Sequence, residues 1–169
     1  ALYVISSSGT VVRTFTPPDG GGGGIISSPA IGDVDVDGNP DIVFGAGNGY
    51  VYCLDGGTGA LKWKRATGGA VYSSPALARR TGENRLDVYV GSMDGILYLL
   101  NGKTGEILDL FPAQYEIASS PVVGDVDGDG KLEGFFQDRF GNINNLIGDY
   151  FWAVRDQGSS VPPYTVEWP

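Results

Sequence analysis

Two nine-residue stretches of this chain concentrate carboxylates at a spacing that suits a divalent cation. One reads Asp33-Val-Asp35-Val-Asp37-Gly38-Asn39-Pro40-Asp41, the other Asp125-Val-Asp127-Gly-Asp129-Gly130-Lys131-Leu132-Glu133, and both follow D-x-D-x-D-G-x-x-[DE]. Acids at positions 1, 3 and 5 converge on a point when the backbone curls. The glycine at position 6 permits the bend, the carbonyl of position 7 (Asn39 or Lys131) can point inward, and the acid at position 9 closes the shell. Oxygen-only ligands in a flexible loop suit Ca²⁺, whereas Mg²⁺ demands a tighter octahedron and keeps its waters. Unlike an EF-hand loop, the motif closes at position 9 rather than 12. Without a cation, like charges about 4–5 Å apart cost around a kcal/mol or more per pair.

The expectation is therefore two calcium ions in a structural role, because each loop supplies its own full shell and leaves no open position for a substrate. Eight of the 20 acidic residues lie in these loops, so two Ca²⁺ would bring the formal charge from −9 to −5 (−9 + 4). A third stretch, Arg79-Arg80-Thr81-Gly82-Glu83-Asn84-Arg85-Leu86-Asp87, sits midway between them and acts as an internal control. Arg79, Thr81 and Glu83 stand where the other loops carry aspartates, and only Asp87 survives. It is expected to bind no calcium, its arginines pairing with nearby acids.

Other chemistry is narrowed by composition. Histidine is absent, which removes Ser-His-Asp and Cys-His catalysis and imidazole-bound metals. The net charge of −9 argues against nucleic-acid partners. No apolar run is long enough to span a bilayer as a helix, so no membrane insertion is expected. The single Cys53 forbids an internal disulfide and aligns with Leu99 and Val4, so it reads as core. The chain lacks an initiator Met and a signal-like start, which fits a processed or excised segment.

What must position the acidic loops is a repeat. Ser-Ser-Pro recurs at Ser27, Ser73 and Ser119, a step of 46 residues each time. On that step Asp41, Asp87 and Glu133 coincide, Gly45 falls on Gly91, Tyr52 on Tyr98 and Leu54 on Leu100. Self-similarity at this period means one supersecondary unit copied in tandem. Within each copy, apolar and aromatic runs alternate with turn residues such as Gly47-Asn48-Gly49 and Asp94-Gly95, the grammar of hairpins. The runs lie near 27–32, 41–45, 50–54 and 60–65, then near 73–78, 86–91, 96–100 and 106–110.

The fold class expected is all-β. Four-stranded antiparallel β-propeller blades follow at a 46-residue repeat, about three and a half in this chain. Residues 1–26 make a half blade and a Gly-rich loop, with Tyr3 in the place of Tyr52. Residues 27–72 and 73–118 make two blades, and 119–169 an irregular one. In that last unit Gln137 replaces the repeat glycine, Asn144-Asn145 fall at the third strand, and residues 148–163 read as an insertion carrying Tyr150, Phe151 and Trp152. Tyr164–Trp168 is expected to form its outer strand, with Trp168 in the role of Trp63. The Ser-Ser-Pro serines have no base beside them and read as strand-start geometry rather than nucleophiles.

The two acidic stretches with their Ser-Ser-Pro leaders resemble the FG-GAP (integrin α-like, VCBS-type) calcium-loop propeller repeat. The stretches Gly49-Tyr-Val-Tyr-Cys-Leu-Asp-Gly-Gly-Thr-Gly-Ala-Leu-Lys-Trp63 and Val88-Tyr-Val-Gly-Ser-Met-Asp-Gly-Ile-Leu-Tyr-Leu-Leu-Asn-Gly-Lys-Thr-Gly105 resemble the repeat of quinone-type (PQQ-like) propellers instead. The first resemblance implies an extracellular, periplasmic or cell-surface module that is stabilised by calcium and serves interaction or adhesion. The second implies that Trp63 docks onto the neighbouring blade. It could also imply a dehydrogenase, but such enzymes need a full ring and this chain offers part of one, so the expectation is a non-catalytic protein with a protein or glycan ligand. A lectin-like propeller is the alternative, and a fragment of a quinone-dependent dehydrogenase or propeller polysaccharide lyase is the next. An incomplete ring also implies self-association or further blades of a longer chain.

Overall fold

The computed structural model describes residues 1–17, 23–125 and 131–139, and the backbone of 151–155. Among these residues there is no helix; the chain is a succession of short antiparallel sheets. β1 (Leu2–Ile5) and β2 (Val11–Phe15) pair with each other. β3 (Ala30–Gly32), β4 (Asp41–Ala46), β5 (Tyr50–Asp55) and β6 (Leu61–Ala66) form a four-stranded sheet in that order. β7 (Ala76–Ala78), β8 (Asp87–Gly91), β9 (Ile96–Leu100) and β10 (Ile107–Pro112) form a second. β11 (Val122–Gly124), β12 (Glu133–Gln137) and β13 (Phe151–Arg155) form a third. Meandering hairpins of this kind follow from the turn glycines: Gly49 and Gly95 take φ of 81° and 80° after β4 and β8.

Central strands are buried on both faces, so their residues alternate between two cores. Ile42, Phe44, Tyr52 and Leu54 face the N-terminal pair, where Phe15 meets Phe44 and Tyr52 edge-on at 5.8 Å between ring centroids. Val43, Val51, Cys53 and Trp63 face the second sheet and its Val88, Val90, Tyr98 and Leu100. Tyr89, Leu97, Leu99, Phe111 and Ile117 in turn meet Phe136 of the third sheet. Each core is thus shared between neighbours, and no sheet buries its apolar surface alone.

The Ser-Ser-Pro tripeptides do two different jobs. The first serine staples a sheet internally: Ser27 Oγ donates to the Gly45 carbonyl (3.0 Å) and accepts its N–H (2.8 Å). Ser73 Oγ accepts from Gly91 N, and Ser119 repeats the two-way bond with Gln137. The second serine links sheets, since Ser28 N donates to Ser74 Oγ (2.8 Å) and Ser74 N to Ser120 Oγ (3.0 Å). Each of these links spans one repeat of 46 residues. Gly45 and Gly91 are required because the connector to the next sheet lies on them: an added Cβ would come within 2.3 Å of Val71 and of Ile117. Gln137 occupies the same station in the third sheet and is exposed, so a side chain is admitted there.

Trp63 docks on the next sheet, as the resemblance implied. Its indole Nε1 donates to the Gly102 carbonyl at 2.7 Å, and its ring covers Gly105 so closely that a Cβ there would lie 2.6 Å away. Arg65 Nε donates to the Gly105 carbonyl beside it. A correction falls on the third sheet. The strand beside β12 is Phe151–Arg155, paired from Glu133↔Arg155 to Gln137↔Phe151, where the 46-residue step indicates the stretch around Asn144-Asn145. Residues with β propensity therefore supply the strand, displaced along the chain past an Asn-rich stretch. Part of the supposed 148–163 insertion is thus sheet. Tyr164–Trp168, most of the Gly-rich loop (18–22) and Asn144-Asn145 lie outside the described residues.

Replacing Trp63 by Ala should destabilise the protein by about 3–5 kcal/mol, the range for deleting a large buried aromatic. Trp63→Phe, which keeps a ring but leaves the Gly102 carbonyl without its donor, should lose only about 1–3 kcal/mol. Urea unfolding midpoints check both; a Trp63→Phe variant as stable as the parent would remove the hydrogen bond from the account.

Candidate metal centre

The first acidic loop joins β3 to β4 and is curled by its own side chains. Asp33 accepts from the backbone N–H groups of Asp37 (3.1 Å) and Gly38 (3.0 Å), and Asp37 accepts from Asn39 N (2.8 Å). Gly38 takes φ of 88°, as the motif requires. Val36 takes φ of 65°, a left-handed conformation that a β-branched residue adopts at a cost of about 1–3 kcal/mol. The result brings one carboxylate oxygen from each of Asp33, Asp35 and Asp37 within 4.8 Å of the others, a group that can hold a metal ion. Asn39 is exposed, and its N–H donates to Asp37.

Asp41 sits at the head of β4 and is fully buried. One of its oxygens accepts from Val34 N at 3.2 Å. Val34, the second residue of the loop, is itself fully buried in the core between the first and second sheets. The loop is thus anchored at one end by an apolar plug and at the other by a buried acid, and its shape is tied to the packing of two sheets.

Sequence reasoning missed the group at the centre of this loop. Lys62 Nζ lies 2.9 Å from Asp35, 3.0 Å from Asp37 and 2.7 Å from Asp41. It arrives from the outer strand, two strands away from β4, because β6 bulges there: Cys53 pairs with Trp63 and Leu54 with Leu61, leaving Lys62 as the extra residue. The same bulge recurs at Leu108 in β10 and Val12 in β2, where the side chain is apolar. A lone lysine at a position occupied elsewhere by Leu and Val was the available signal.

The electrostatics follow from these contacts. Burial works against the charge on Lys62, but hydrogen bonds to Asp41, Asp35 and Asp37 outweigh it and hold the ammonium above the ordinary lysine range. Burial raises Asp41 above the ordinary carboxylate range despite Lys62 beside it. Asp37 is held below that range, chiefly by the Asn39 N–H and then by Lys62.

The second acidic loop is described only at its ends. Asp125 follows β11 and is exposed, Lys131 is partly buried, and Glu133 heads β12 as a buried acid in register with Gly124, as Asp41 is with Gly32. Asp127 and Asp129 lie outside the described residues.

The middle loop behaves as a basic counterpart. Arg80 Nε donates to Asp87 (2.6 Å) and Arg85 Nε to its other oxygen (2.9 Å), while Arg85 also reaches Glu83. The arginines thus pair with nearby acids as expected, and the pairing is covered: Asp87 is fully buried and both arginine side chains are mostly so. Arg80 occupies the position of Val34, so the residue that plugs the core in one sheet neutralises the buried acid in the next. Cys53, by contrast, is fully buried core, its thiol pushed up to about 12 by burial and then by Asp41.

No protein-family model matches this chain, and no curated protein matches it. Its fold is similar to that of the Pseudomonas aeruginosa PilY1 C-terminal β-propeller domain, with a TM-score of 0.66 and 19% identity over 89% of this chain. That match spans 35% of the PilY1 domain. A europium-containing methanol dehydrogenase aligns over 66% of this chain and 39% of its own, at 13% identity and a TM-score of 0.30. The first likeness, with the antiparallel sheets described above, places the chain among all-β, propeller-like structures.

Replacing Arg80 and Arg85 together by Met strands Asp87 as an unpaired buried charge and should cost about 3–5 kcal/mol. Added Ca²⁺ should not restore that loss, since this loop lacks the alternating acids. Thermal melts of the variant with and without Ca²⁺ test both points.

Proposed function

We propose that this chain is a non-catalytic, calcium-binding β-propeller segment of about three and a half blades that serves interaction or adhesion outside the cytoplasm. The observation that carries this reading is the convergence of Asp33, Asp35 and Asp37 in a loop whose Val34 is built into the inter-sheet core. An ion there would tie the loop's shape to the packing of two sheets. The residues fit the ion: the donors are oxygens on a loop that bends at Gly38, and such sets favour Ca²⁺ over Mg²⁺. In this reading Asp33, Asp35, Asp37, the Asn39 carbonyl and Asp41 hold one calcium. Asp125, Asp127, Asp129, the Lys131 carbonyl and Glu133 hold a second. Calcium supplies charge neutralisation and cross-linking of the loop. Sites of modest affinity are filled where calcium is abundant, which favours an extracellular, periplasmic or cell-surface setting.

The partner surface on this reading is formed by the blades themselves. Among the described residues β1 pairs only with β2, leaving its other edge open; Tyr3 and Ile5 of β1 are exposed, as are Ile26 and Ile31. Ser28 Oγ stands where the preceding unit's serine N–H would donate. Unpaired strand edges and apolar faces of this kind are covered in stable proteins. Further blades, supplied by a second copy of this chain, would cover them.

Millimolar Ca²⁺ should raise the melting temperature, by the equivalent of about 2.7 kcal/mol at a hundredfold excess over Kd. EDTA should reverse the gain and Asp35→Asn should reduce it; a melting temperature indifferent to Ca²⁺ overturns the calcium reading. Light scattering in the same buffer should give the mass of two chains. A single-chain mass at high concentration excludes a second copy as the source of the missing blades.

A further inference from the structure

The Lys62 ammonium lies between Asp35, Asp37 and Asp41 at 2.9, 3.0 and 2.7 Å, which is the position a loop-bound divalent ion would take. Calcium binds carboxylate oxygens at about 2.3–2.6 Å. An ion coordinated by these same oxygens would therefore overlap the ammonium, and two positive charges cannot share the one shell. Lys62 is held in place by more than proximity. The bulge in β6 delivers it to the loop, and its side chain is mostly covered. Asp33 stands apart from this arrangement, because its oxygens are engaged by the Asp37 and Gly38 N–H groups. Lys62 instead holds together the other three acids, which carry no such pair of backbone bonds from the loop's bend. The middle sheet answers the same need with fixed arginines on Asp87, and its bulge residue is Leu108.

We propose that Lys62 is a tethered counter-cation of the first acidic loop: it keeps the loop closed without metal and must withdraw for a divalent ion to enter. This rests on the calcium reading above and adds an affinity-setting residue to it. The loop exchanges an ammonium for calcium, so filling it reports a high calcium level rather than holding the ion permanently. The withdrawn lysine becomes solvent-exposed, free to meet an acidic partner in the calcium-loaded state.

The test compares the full chain with Lys62→Met by calorimetric Ca²⁺ titration and by melting. In EDTA the variant should melt several degrees below the parent, and saturating Ca²⁺ should close that gap. Its first-loop affinity for Ca²⁺ should rise at least about tenfold, the factor corresponding to 1.4 kcal/mol. Adding Asp33→Asn should erase that rise, which assigns it to this loop. A second measurement needs no variant: acetylation of Lys62 in the parent by acetic anhydride, read by mass spectrometry, should quicken several-fold when Ca²⁺ is added. Should Lys62→Met fail to fold, the acetylation result alone decides. Ca²⁺ binding with equal affinity in parent and variant, or without change in Lys62 reactivity, overturns the lysine's role while leaving the calcium reading intact. Absence of binding heat in both proteins overturns both.

Discussion

The three sheets that follow the N-terminal pair each begin their second strand with a buried acid, and the structure depends on how that charge is compensated. Asp41 and Asp87 are fully buried and Glu133 nearly so, each in register with the small residue that ends the first strand. A bare carboxylate at such a depth would ionise only at severe cost. The chain answers with local cations, and it does so differently in neighbouring units. The first sheet sends Lys62 inward across a bulge, and the second uses Arg80 and Arg85 from the connecting loop itself.

Those choices carry over into packing. A loop that compensates its acid from the outer strand is free to spend its second residue on the core, and Val34 is buried between sheets. A loop that supplies its own arginine gives up that plug, and Arg80 sits there instead. The inter-sheet cores are otherwise built alike: strands buried on both faces, the Trp63 indole seated on Gly102 and Gly105, and serine links from each unit to the next. Because the cores are shared, loosening a loop in one sheet weakens the surface on which its neighbour rests.

This coupling is what makes a cation in the first loop more than a surface ornament. The convergence of Asp33, Asp35 and Asp37 is maintained by backbone N–H groups and by a left-handed Val36, so the site is formed by the loop rather than by the ion. An ion bound there would act on a pre-shaped element at the seam between sheets, where a modest change in loop stability reaches the interface.

Much of this was legible in the chain. The 46-residue step, the turn glycines and the alternating apolar runs located the strands of two sheets to within a few residues, because each depends on local geometry that a repeat states twice. The first loop's acids were legible for the same reason: period, glycine position and charge are all local. What the sequence could not express was contact between distant positions. Lys62 looks like any exposed lysine until a bulge turns it onto a loop some 25 residues away, and the arginines of the middle loop look solvated until Asp87 is seen to be buried. The third strand of the last sheet slipped for a related reason, since pairing register is chosen by the neighbouring strand and not by the spacing of the repeat. Composition and period thus determined which residues could carry charge and where strands could form. Only folding decided which charges meet, because burial and register are properties of the assembled sheets.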